Sequence, residues 1–273
     1  MLGGVHKKFP FPGLCFQLTF SPVCYDVGVS RGGIGVAYQA VFKRYELKYL
    51  LTKAQKERVL AAMEPYMRLD KYGRTTVRNV YFDTDSYRLI RRSMEKPAYK
   101  EKLRLRSYRK STACEGVFVE LKKKYKSVVY KRRMLMPEDK AMDWLCGNGT
   151  VPDSQIAREI TYFKDFYSGL RPAVFLSYER EAYYSLDGSD FRVTFDDNIL
   201  CRQTDLSLSA EVGGTAILPE GKILMEIKTA GGIPLWMTHC LTEQKLYKTS
   251  FSKYGTAFAS LIFPKLKGGY TYV

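Results

Sequence analysis

Histidine is scarce in this sequence, and cysteine shows no metal-binding pattern. Only two histidines, His6 and His239, occur among the 273 residues, and they lie far apart in the chain. The six cysteines are scattered, with no CxxC pair and no other spacing typical of metal ligands. The sequence therefore argues against a histidine base and against a zinc-type site. The scattered cysteines are typical of reduced thiols in a cytoplasmic protein.

Long apolar runs are also absent from the sequence. No stretch approaches the roughly 20 consecutive apolar residues that a transmembrane helix requires. The first residues lack the apolar run and the small-residue cleavage site of a signal peptide. We therefore expect a cytoplasmic protein with no transmembrane segment of its own.

Acidic residues are too few to balance the basic ones. The chain has 44 Lys and Arg against 28 Asp and Glu, which gives a formal net charge of +16. Such an excess repels itself in a compact state, so it favours an anionic partner: nucleic acid, acidic lipid or a phosphate-rich small molecule. Hydrophobic residues make up 45% and aromatic residues 14% of the chain, which is typical of a globular protein.

Residues 1–35 differ in composition from the remainder of the chain. They mix Pro, Gly, Cys and Phe without a period of two or 3.6 residues. Arg31-Gly32-Gly33 is what a purine-rich ribosome-binding sequence would encode if it were translated, with Val36 at a GTG start codon. We expect residues 1–35 to be a non-native or disordered extension and residues 36–273 to form a single domain.

Strand signals dominate the chain after residue 38. The expected strands are Lys43–Leu51, Thr75–Asp83, Tyr99–Tyr108, Gly116–Lys124, Ser127–Met134, Ala173–Tyr184, Phe191–Phe195 and Lys222–Thr229. Eight strands suffice to close a small barrel. The expected fold class is α+β, an eight-stranded antiparallel β-barrel with helices packed outside.

Four helical segments interrupt these strands. Thr52 with Gln55 predicts a capping box, Pro137 the first turn of a second helix, and Ser154 the N-cap of a third. A last helical region is expected from about residue 235 to 262, broken near residues 249–252.

Charged residues alternate with apolar ones along six of the strands. Lys102, Arg104 and Arg106 share one face of the third strand, and Leu103 and Leu105 share the other. The charged faces of the five other strands carry Arg44, Glu46 and Lys48; Glu120, Lys122 and Lys124; Tyr178 and Arg180; Arg192, Thr194 and Asp196; and Glu226 and Lys228.

The charged faces can point outward to solvent or inward into the barrel. An inward orientation needs helices over the apolar faces, and the chain supplies about four. Buried charge costs several kcal/mol unless it is paired, so it also needs ion pairs, water or a bound polyanion. A tunnel holding phosphates and a divalent metal would satisfy the cations together with Glu46, Glu120 and Glu226. The residues alone leave both orientations open.

An ordered series of short motifs carries a resemblance to a known family. The motifs are Tyr81-Phe82-Asp83-Thr84, Lys102-Leu103-Arg104-Leu105-Arg106, Glu120-Leu121-Lys122, Tyr178-Glu179-Arg180, Arg192-Val193-Thr194-Phe195-Asp196, Glu226-Ile227-Lys228 and Ser250-Phe251-Ser252-Lys253-Tyr254. Over about residues 42 to 263, the chain resembles the polyphosphate polymerase domain of the vacuolar transporter chaperone (VTC) proteins. That domain is one branch of the CYTH-like triphosphate tunnel metalloenzymes. The resemblance is to a bacterial-style stand-alone form, without the regulatory domain and membrane segments of the eukaryotic complexes.

The resemblance implies a tunnel with a basic interior, in which the terminal phosphoryl group of ATP is transferred to a growing polyphosphate chain. It implies Mn²⁺ or Mg²⁺, with Glu226 and Glu46 as the metal-binding residues. The cationic catalytic positions that it implies are Lys48, Arg104, Arg106, Lys122, Lys131, Arg180, Arg192 and Lys253, and further phosphate-binding positions are Lys102, Lys228 and Lys248. A membrane-protein partner is implied by the resemblance only. Nucleic acid is not expected, because few aromatic residues share the charged faces.

Lys253 follows Ser250 and Ser252, either of which is a suitable helix N-cap. A lysine in the first helical turn opposes the macrodipole. Its placement is reasonable if an anion lies between the lysine and the helix, because helix N-termini bind phosphate. The alternative is an exposed lysine that tolerates a small penalty.

The first strand departs from the pattern of the hydrolytic CYTH enzymes. Those enzymes open with Glu-x-Glu-x-Lys, whereas this strand has Arg44 in the place of the first glutamate. Loss of that carboxylate weakens a second metal site and favours a transferase. Glu46 and Glu120 are then expected to pair with Lys48 and Lys122.

A second departure concerns the last motif, and two other functions stay open. Ser250 stands where the eukaryotic polymerases have a further lysine, and Lys248 is a candidate to replace it. The alternative functions are a hydrolase of tripolyphosphate or nucleoside triphosphates on the same fold, and a non-catalytic polyphosphate-binding module.

Overall fold

The computed structural model describes residues 45–112, 116–126 and 128–268. The described residues all belong to one compact unit. The expected extension over residues 1–35 and the Arg44 position both lie outside the described residues, so the predictions for them stay predictions.

The core of the fold is one antiparallel sheet of eight long strands and one short strand. The strands are β1 (Tyr45–Thr52), β2 (Met67–Asp83), β3 (Tyr99–Ser107), β4 (Gly116–Tyr125), β5 (Val128–Pro137), β6 (Arg171–Ser185), β7 (Arg192–Arg202), β8 (Thr215–Ala216) and β9 (Lys222–Thr229). Their order is β1-β9-β7-β6-β2-β3-β4-β5, with β8 paired to β7. All eight predicted strands are confirmed, and their alternation of charged and apolar residues is the pattern that predicted them.

β2 and β7 extend well beyond their predicted bounds. β2 begins at Met67, and its pairing with β6 shifts register between Leu69 and Arg74. Gly73 lies in this irregular stretch with φ of +60°, a conformation that favours glycine. β7 continues past Phe195 to Arg202 through Asn198, which also has a positive φ. These irregular residues break the two-residue period, which is why the sequence pattern predicts only part of each of the two strands.

Within the described residues, seven α-helices and one π-helical turn accompany the sheet. They are α1 (Lys53–Met63), α2 (Arg88–Met94), α3 (Glu138–Leu145), α4 (Gln155–Tyr167), α5 (Leu235–Glu243), α6 (Lys253–Ala257), the π-helical turn Phe258–Ile262, and α7 (Phe263–Gly268). The capping box of α1 is confirmed, because the Gln55 amide donates to Thr52 Oγ1 at 3.2 Å and the Thr52 amide donates to Gln55 Oε1 at 2.9 Å. Ser154 caps α4 as expected. The expected break in the last helical region is confirmed and is wider than predicted.

Helix α2 was not predicted, because its N-terminal amides are bound by a residue of the preceding strand. The Asp83 carboxylate accepts from the Leu89 amide at 2.9 Å and from the Ile90 amide at 3.0 Å. It also accepts from the Tyr254 hydroxyl at 2.9 Å. Asp83 therefore joins β2, α2 and α6, and burial raises its pKa.

Helices cover the apolar face of the sheet in two places. Leu105 and Val119 pack against a cluster that includes Trp144 of α3 and Phe163 of α4. A second cluster packs Met225 of β9 against residues of α1 and α5. The apolar faces are thus the outer faces, and the charged faces point inward.

The opposite, concave face of the sheet is called the inner face here. Part of it is apolar: Leu176, Ile199 and Leu224 pack against Tyr254 and Phe258 of the C-terminal helical region. The charged residues come two or more positions later on β6 and β9, and before Ile199 on β7, which runs antiparallel to both. The inner face is therefore apolar towards one end and charged towards the other.

The sheet curls so that the two ends of the strand order approach each other. Lys122 of β4 reaches Glu46 of β1, with 2.8 Å between Nζ and Oε1. Within the described strand pairings, β5 is not hydrogen-bonded to β1. No helix among residues 45–112, 116–126 and 128–268 is long and apolar enough to cross a membrane.

Candidate functional site

Strand register brings charged residues of neighbouring strands together on the inner face. Lys48 is paired with Glu226 across β1 and β9, and Arg180 is paired with Asp196 across β6 and β7. Thr194 is paired with Glu226 across β7 and β9. Because side chains alternate along a strand, these residues all project to one side of the sheet.

Asp196 and Glu226 form the first group, in which two buried carboxylates are surrounded by cations. Lys253 Nζ lies 2.5 Å from Asp196 Oδ2 and 3.1 Å from Glu226 Oε1. Arg180 donates two hydrogen bonds of 2.6 Å to the two oxygens of Asp196. Lys48 lies 3.2 Å and Lys228 3.1 Å from Glu226. Both carboxylates are therefore held ionised.

The pKa directions of this group follow from its geometry. Burial would raise the pKa of Glu226, but the ammonium groups of Lys253, Lys48 and Lys228 lower it well below its usual range. Burial would likewise raise the pKa of Asp196, but the guanidinium of Arg180 opposes this effect, and the pKa is lowered. Burial also lowers the pKa of Lys228, to about 8. The pKa of Lys253 is raised by the two carboxylates, against the effect of its own burial.

Glu120 is the centre of a second group, on β3, β4 and β5. Arg104 Nη2 lies 2.7 Å from Glu120 Oε2, and Arg106 Nε lies 3.8 Å from the same oxygen. Lys131 Nζ lies 3.7 Å from Oε1. Burial raises the pKa of Glu120, and these cations lower it further than burial raises it. Burial lowers the pKa of Lys131 to about 8.

Hydroxyl and amide groups hold the two arginines of this group in place. Arg104 Nη1 donates to the Tyr81 hydroxyl at 2.9 Å. Arg106 donates to Asn79 Oδ1 at 2.9 Å and to the Tyr178 hydroxyl at 3.1 Å. A guanidinium fixed in this way is preorganised, so less rotamer freedom is lost when it binds an anion.

A third group lies between β1, β3 and β4. Glu46 accepts from Lys122 at 2.8 Å, and despite burial the cations around it lower its pKa to about 2. Lys102 Nζ donates to Ser252 Oγ at 3.0 Å. Burial and the nearby ammonium groups of Lys48 and Lys122 lower the pKa of Lys102 to about 7.

Most of the predicted cationic positions meet on the inner face as buried or half-buried side chains, and two are exposed. Arg192 at the start of β7 and Lys248 before α6 have exposed side chains. The predicted ion pairs of Glu46 with Lys48 and of Glu120 with Lys122 are wrong. The curvature of the sheet brings Lys122 next to Glu46, and the register of β1 with β9 places Lys48 next to Glu226.

Lys253 is buried, so the exposed alternative is wrong. Ser252 is the N-cap of α6 and accepts from the Gly255 amide at 3.2 Å. The anions beside Lys253 in the structure are protein carboxylates.

Sequence reasoning did not assign several residues that complete the site. Asp196 was recognised on the charged face of β7 without a role, although it binds both Arg180 and Lys253. Asn79 and Tyr178 were not assigned because neutral side chains gave no charge signal. Their position on the same face as the charged residues was the available clue.

The site has more positive than negative charge. Its buried or half-buried cations are Lys48, Lys102, Arg104, Arg106, Lys122, Lys131, Arg180, Lys228 and Lys253, and its carboxylates are Glu46, Glu120, Asp196 and Glu226. Excess positive charge with low exposure to water attracts anions strongly. Arginine forks and lysine ammonium groups are the side chains that bind phosphate oxygens.

The carboxylates fit a divalent metal only if phosphate shares it. Within the described part of the chain, no group of three or more His, Cys, Asp or Glu side chains is placed to hold a metal. Mg²⁺ is commonly bound by one or two carboxylates together with substrate phosphates. Glu226, with Glu46 on the neighbouring strand, fits this arrangement. Bound phosphate would pair with the lysines that now contact both carboxylates, and the carboxylate oxygens would then be free to bind the metal.

A solved structure with a TM-score of 0.50 and low sequence identity shares the fold, and a second one aligns with a slightly lower score. A candidate adenylate cyclase from Bacillus halodurans aligns with a TM-score of 0.50 and 14% identity, over 78% of this chain and 96% of that chain. A candidate adenylyl cyclase from Hippeastrum, described as having a dominant triphosphatase activity, aligns with a TM-score of 0.49 and 15% identity, over 80% of this chain and 96% of that chain. A search of curated protein sequences finds no significant match.

The sequence motifs and the fold agree with a family profile. The profile of the VTC domain matches residues 43–262, which include every strand of the described sheet and all the groups above. The resemblance seen in the motifs is confirmed, and the chain belongs to the VTC-domain family.

Proposed function

We propose that this protein is a polyphosphate polymerase, which transfers the terminal phosphoryl group of ATP to a growing polyphosphate chain on the inner face. Membership of the VTC-domain family supports phosphoryl chemistry on triphosphates or polyphosphate. The single observation that carries the proposal is the set of nine buried or half-buried cations, which outnumbers the four carboxylates among them. A polyanion is the ligand that would neutralise the excess.

The side chains of the site fit the demands of phosphoryl transfer. The reaction needs alignment of donor and acceptor and neutralisation of the transferred group, with little covalent participation by the protein. Arg104, Arg106 and Arg180 are held by hydrogen bonds and would bind phosphate oxygens without large rearrangement. Lys253, between Asp196 and Glu226, would place its ammonium beside the transferred group.

A divalent metal, Mn²⁺ or Mg²⁺, would be held by Glu226 and Glu46 together with the phosphates. When bound, such a metal neutralises charge on the phosphate oxygens and aligns them. The contribution of this chain is to hold the two carboxylates ionised, since their pKa values are lowered by the surrounding lysines.

The protonation states of the site favour transfer to phosphate over transfer to water. Activation of water needs a general base with a pKa near neutrality. The carboxylates of the site have lowered pKa values, which makes them weak bases. Lys102 has a pKa of about 7, but a phosphate bound beside it would stabilise its ammonium form, so it would not act as a free base. His239, the histidine within the described residues, is exposed on α5, outside the sheet. A phosphate oxygen is already anionic and needs no deprotonation, so it is the favoured acceptor.

The test is incubation of the purified protein with ATP and Mn²⁺, followed by gel separation of polyphosphates and measurement of ADP and orthophosphate. The expected products are chains longer than the donor, with ADP formed and orthophosphate minor. Lys253→Met should abolish the formation of both the longer chains and ADP. Lys140→Ala, which removes an exposed lysine of α3, is the matched control and should retain full activity. Release of orthophosphate alone would replace the proposal with a hydrolase.

A further inference from the structure

Lys102 differs from the other lysines of the site in its partner. Lys48, Lys122, Lys228 and Lys253 each contact a carboxylate. Lys102 donates to the neutral hydroxyl of Ser252 at 3.0 Å. Among the described residues, no carboxylate lies within ion-pair distance of its ammonium group.

The charged groups that act most strongly on Lys102 are cations, since Glu46 is paired with Lys122 and Glu226 with Lys48. They are Lys48 of β1, Lys100 and Arg104 of β3, and Lys122 of β4, while Ser252 faces it from the residue before α6. Like charges at short range in a partly dehydrated site disfavour the charged form. Burial and these neighbours lower the pKa of Lys102 to about 7. Lys102 thus has a lower pKa than Lys131 and Lys228, and its charge in the empty site changes near neutral pH.

We propose that Lys102 takes up a proton when a triphosphate binds on the inner face, so that the protein senses pH through its affinity for the ligand. The proposal rests on the proposed function, because it requires a polyphosphate ligand at this site. A phosphate group among Lys48, Lys102 and Lys122 supplies the negative charge that the cluster lacks. The amine of Lys102 is then stabilised as an ammonium group, and its proton comes from solvent.

The direction of the pH dependence follows from linkage. Below pH 7 Lys102 is charged in both the free and the bound protein, so it adds no pH dependence to binding. Above pH 7 the free protein must first bind a proton, so affinity falls as pH rises. The pKa of Lys102 in the free protein is about 7. The affinity for triphosphate should therefore fall about tenfold between pH 6 and pH 8, compared with a protein that has a permanent positive charge at this position.

The test uses tripolyphosphate without metal, titrated into the protein by calorimetry at pH 6, 7 and 8. At each pH, two buffers with different ionisation enthalpies give the number of protons taken up. Other groups contribute, namely Lys131 and Lys228, whose pKa values are about 8, and the ligand itself. The wild type is therefore compared with Lys102→Arg, which keeps the positive charge and does not titrate in this range.

At pH 8 the wild type should take up about one proton more than Lys102→Arg, and at pH 6 the difference should be close to zero. Lys102→Met should bind more weakly at every pH, with the same proton uptake as Lys102→Arg. Equal uptake by wild type and Lys102→Arg at pH 8 would overturn the proposal and leave the proposed function standing. Failure of the wild type to bind tripolyphosphate at any pH would overturn the proposed function itself.

Discussion

Glu226→Gln is the substitution for which the structure makes the sharpest stability prediction. Glu226 is buried and lies within 3.5 Å of Lys48, Arg180, Lys228 and Lys253. Glutamine keeps the shape and removes the charge. Asp196 then remains in contact with Arg180 and Lys253, whereas Lys48 and Lys228 lose the carboxylate that contacts them. Breaking a buried ion pair by removing one partner typically costs ~3–5 kcal/mol. For a domain of this size, that loss lowers Tm by roughly 6–20 °C.

An added anion should reverse much of this loss. Tripolyphosphate can supply the negative charge that Glu226→Gln removes, so it should raise the Tm of the variant by more than it raises that of the wild type. The assay is thermal unfolding followed by circular dichroism, without metal, with and without tripolyphosphate. Glu211→Gln, an exposed carboxylate paired with Lys110, is the control and should melt like the wild type in both conditions.

Two results would refute the reasoning about Glu226. One is a wild-type Tm for Glu226→Gln, which would mean that the carboxylate does not neutralise the cations around it. The other is an equal tripolyphosphate shift in variant and wild type, which would mean that the ligand does not bind at this group.

Three further predictions concern the other groups of the site. Arg104→Ala should weaken tripolyphosphate binding by ~1.5–3 kcal/mol in calorimetry and also lower Tm, because it leaves the buried Glu120 with fewer counter-ions. Lys253→Met should lower Tm in the absence of ligand by an amount typical of a broken buried pair, ~3–5 kcal/mol, and a Tm like that of the wild type would contradict the contacts with Asp196 and Glu226. Acid unfolding should report Glu46, whose folded pKa of about 2 lies below its unfolded value, so its contribution is present above about pH 4.5 and is lost as pH falls towards 2. Glu46→Gln should therefore flatten the stability curve over this range, and an unchanged curve would exclude Glu46 as its source.

The sequence predicted the strands well because the two-residue period persists along them. In β3, for example, one face carries Lys102, Arg104 and Arg106, and the other carries Leu103 and Leu105. The pattern could separate the two faces, but it could not say which one points inward. That depends on helices such as α3 and α4, which cover the apolar face.

Contacts between distant strands could not be predicted from the sequence. Lys122 meets Glu46 because the sheet curls, and the curvature is a property of all eight strands together. The same limit applies to Lys253, whose partners lie on β7 and β9. The N-cap of α6 is a local interaction, and Ser252 is one of the two residues that the sequence predicts for it.

Helix α2 and Asp83 illustrate a different limit. Asp83 belongs to a motif that carried the family resemblance, and nothing in the sequence separates a structural role from a catalytic one. In the structure its oxygens accept from backbone amides of α2 and from Tyr254. The part of the motif that contains Asp83 supports the fold, whereas Tyr81 contacts Arg104 of the site.

The residues that would bind phosphate also fasten the segment between α5 and α6 to the sheet. Lys48 Nζ donates to the Phe251 carbonyl at 2.9 Å, and Lys102 Nζ donates to Ser252 Oγ at 3.0 Å. The Thr249 amide donates to the Lys48 carbonyl at 2.7 Å. A ligand that engages the two ammonium groups competes with these contacts, so occupancy of the site changes how firmly residues 249–252 are held. Backbone amide exchange in this short segment is thus a direct reporter of ligand binding, independent of turnover.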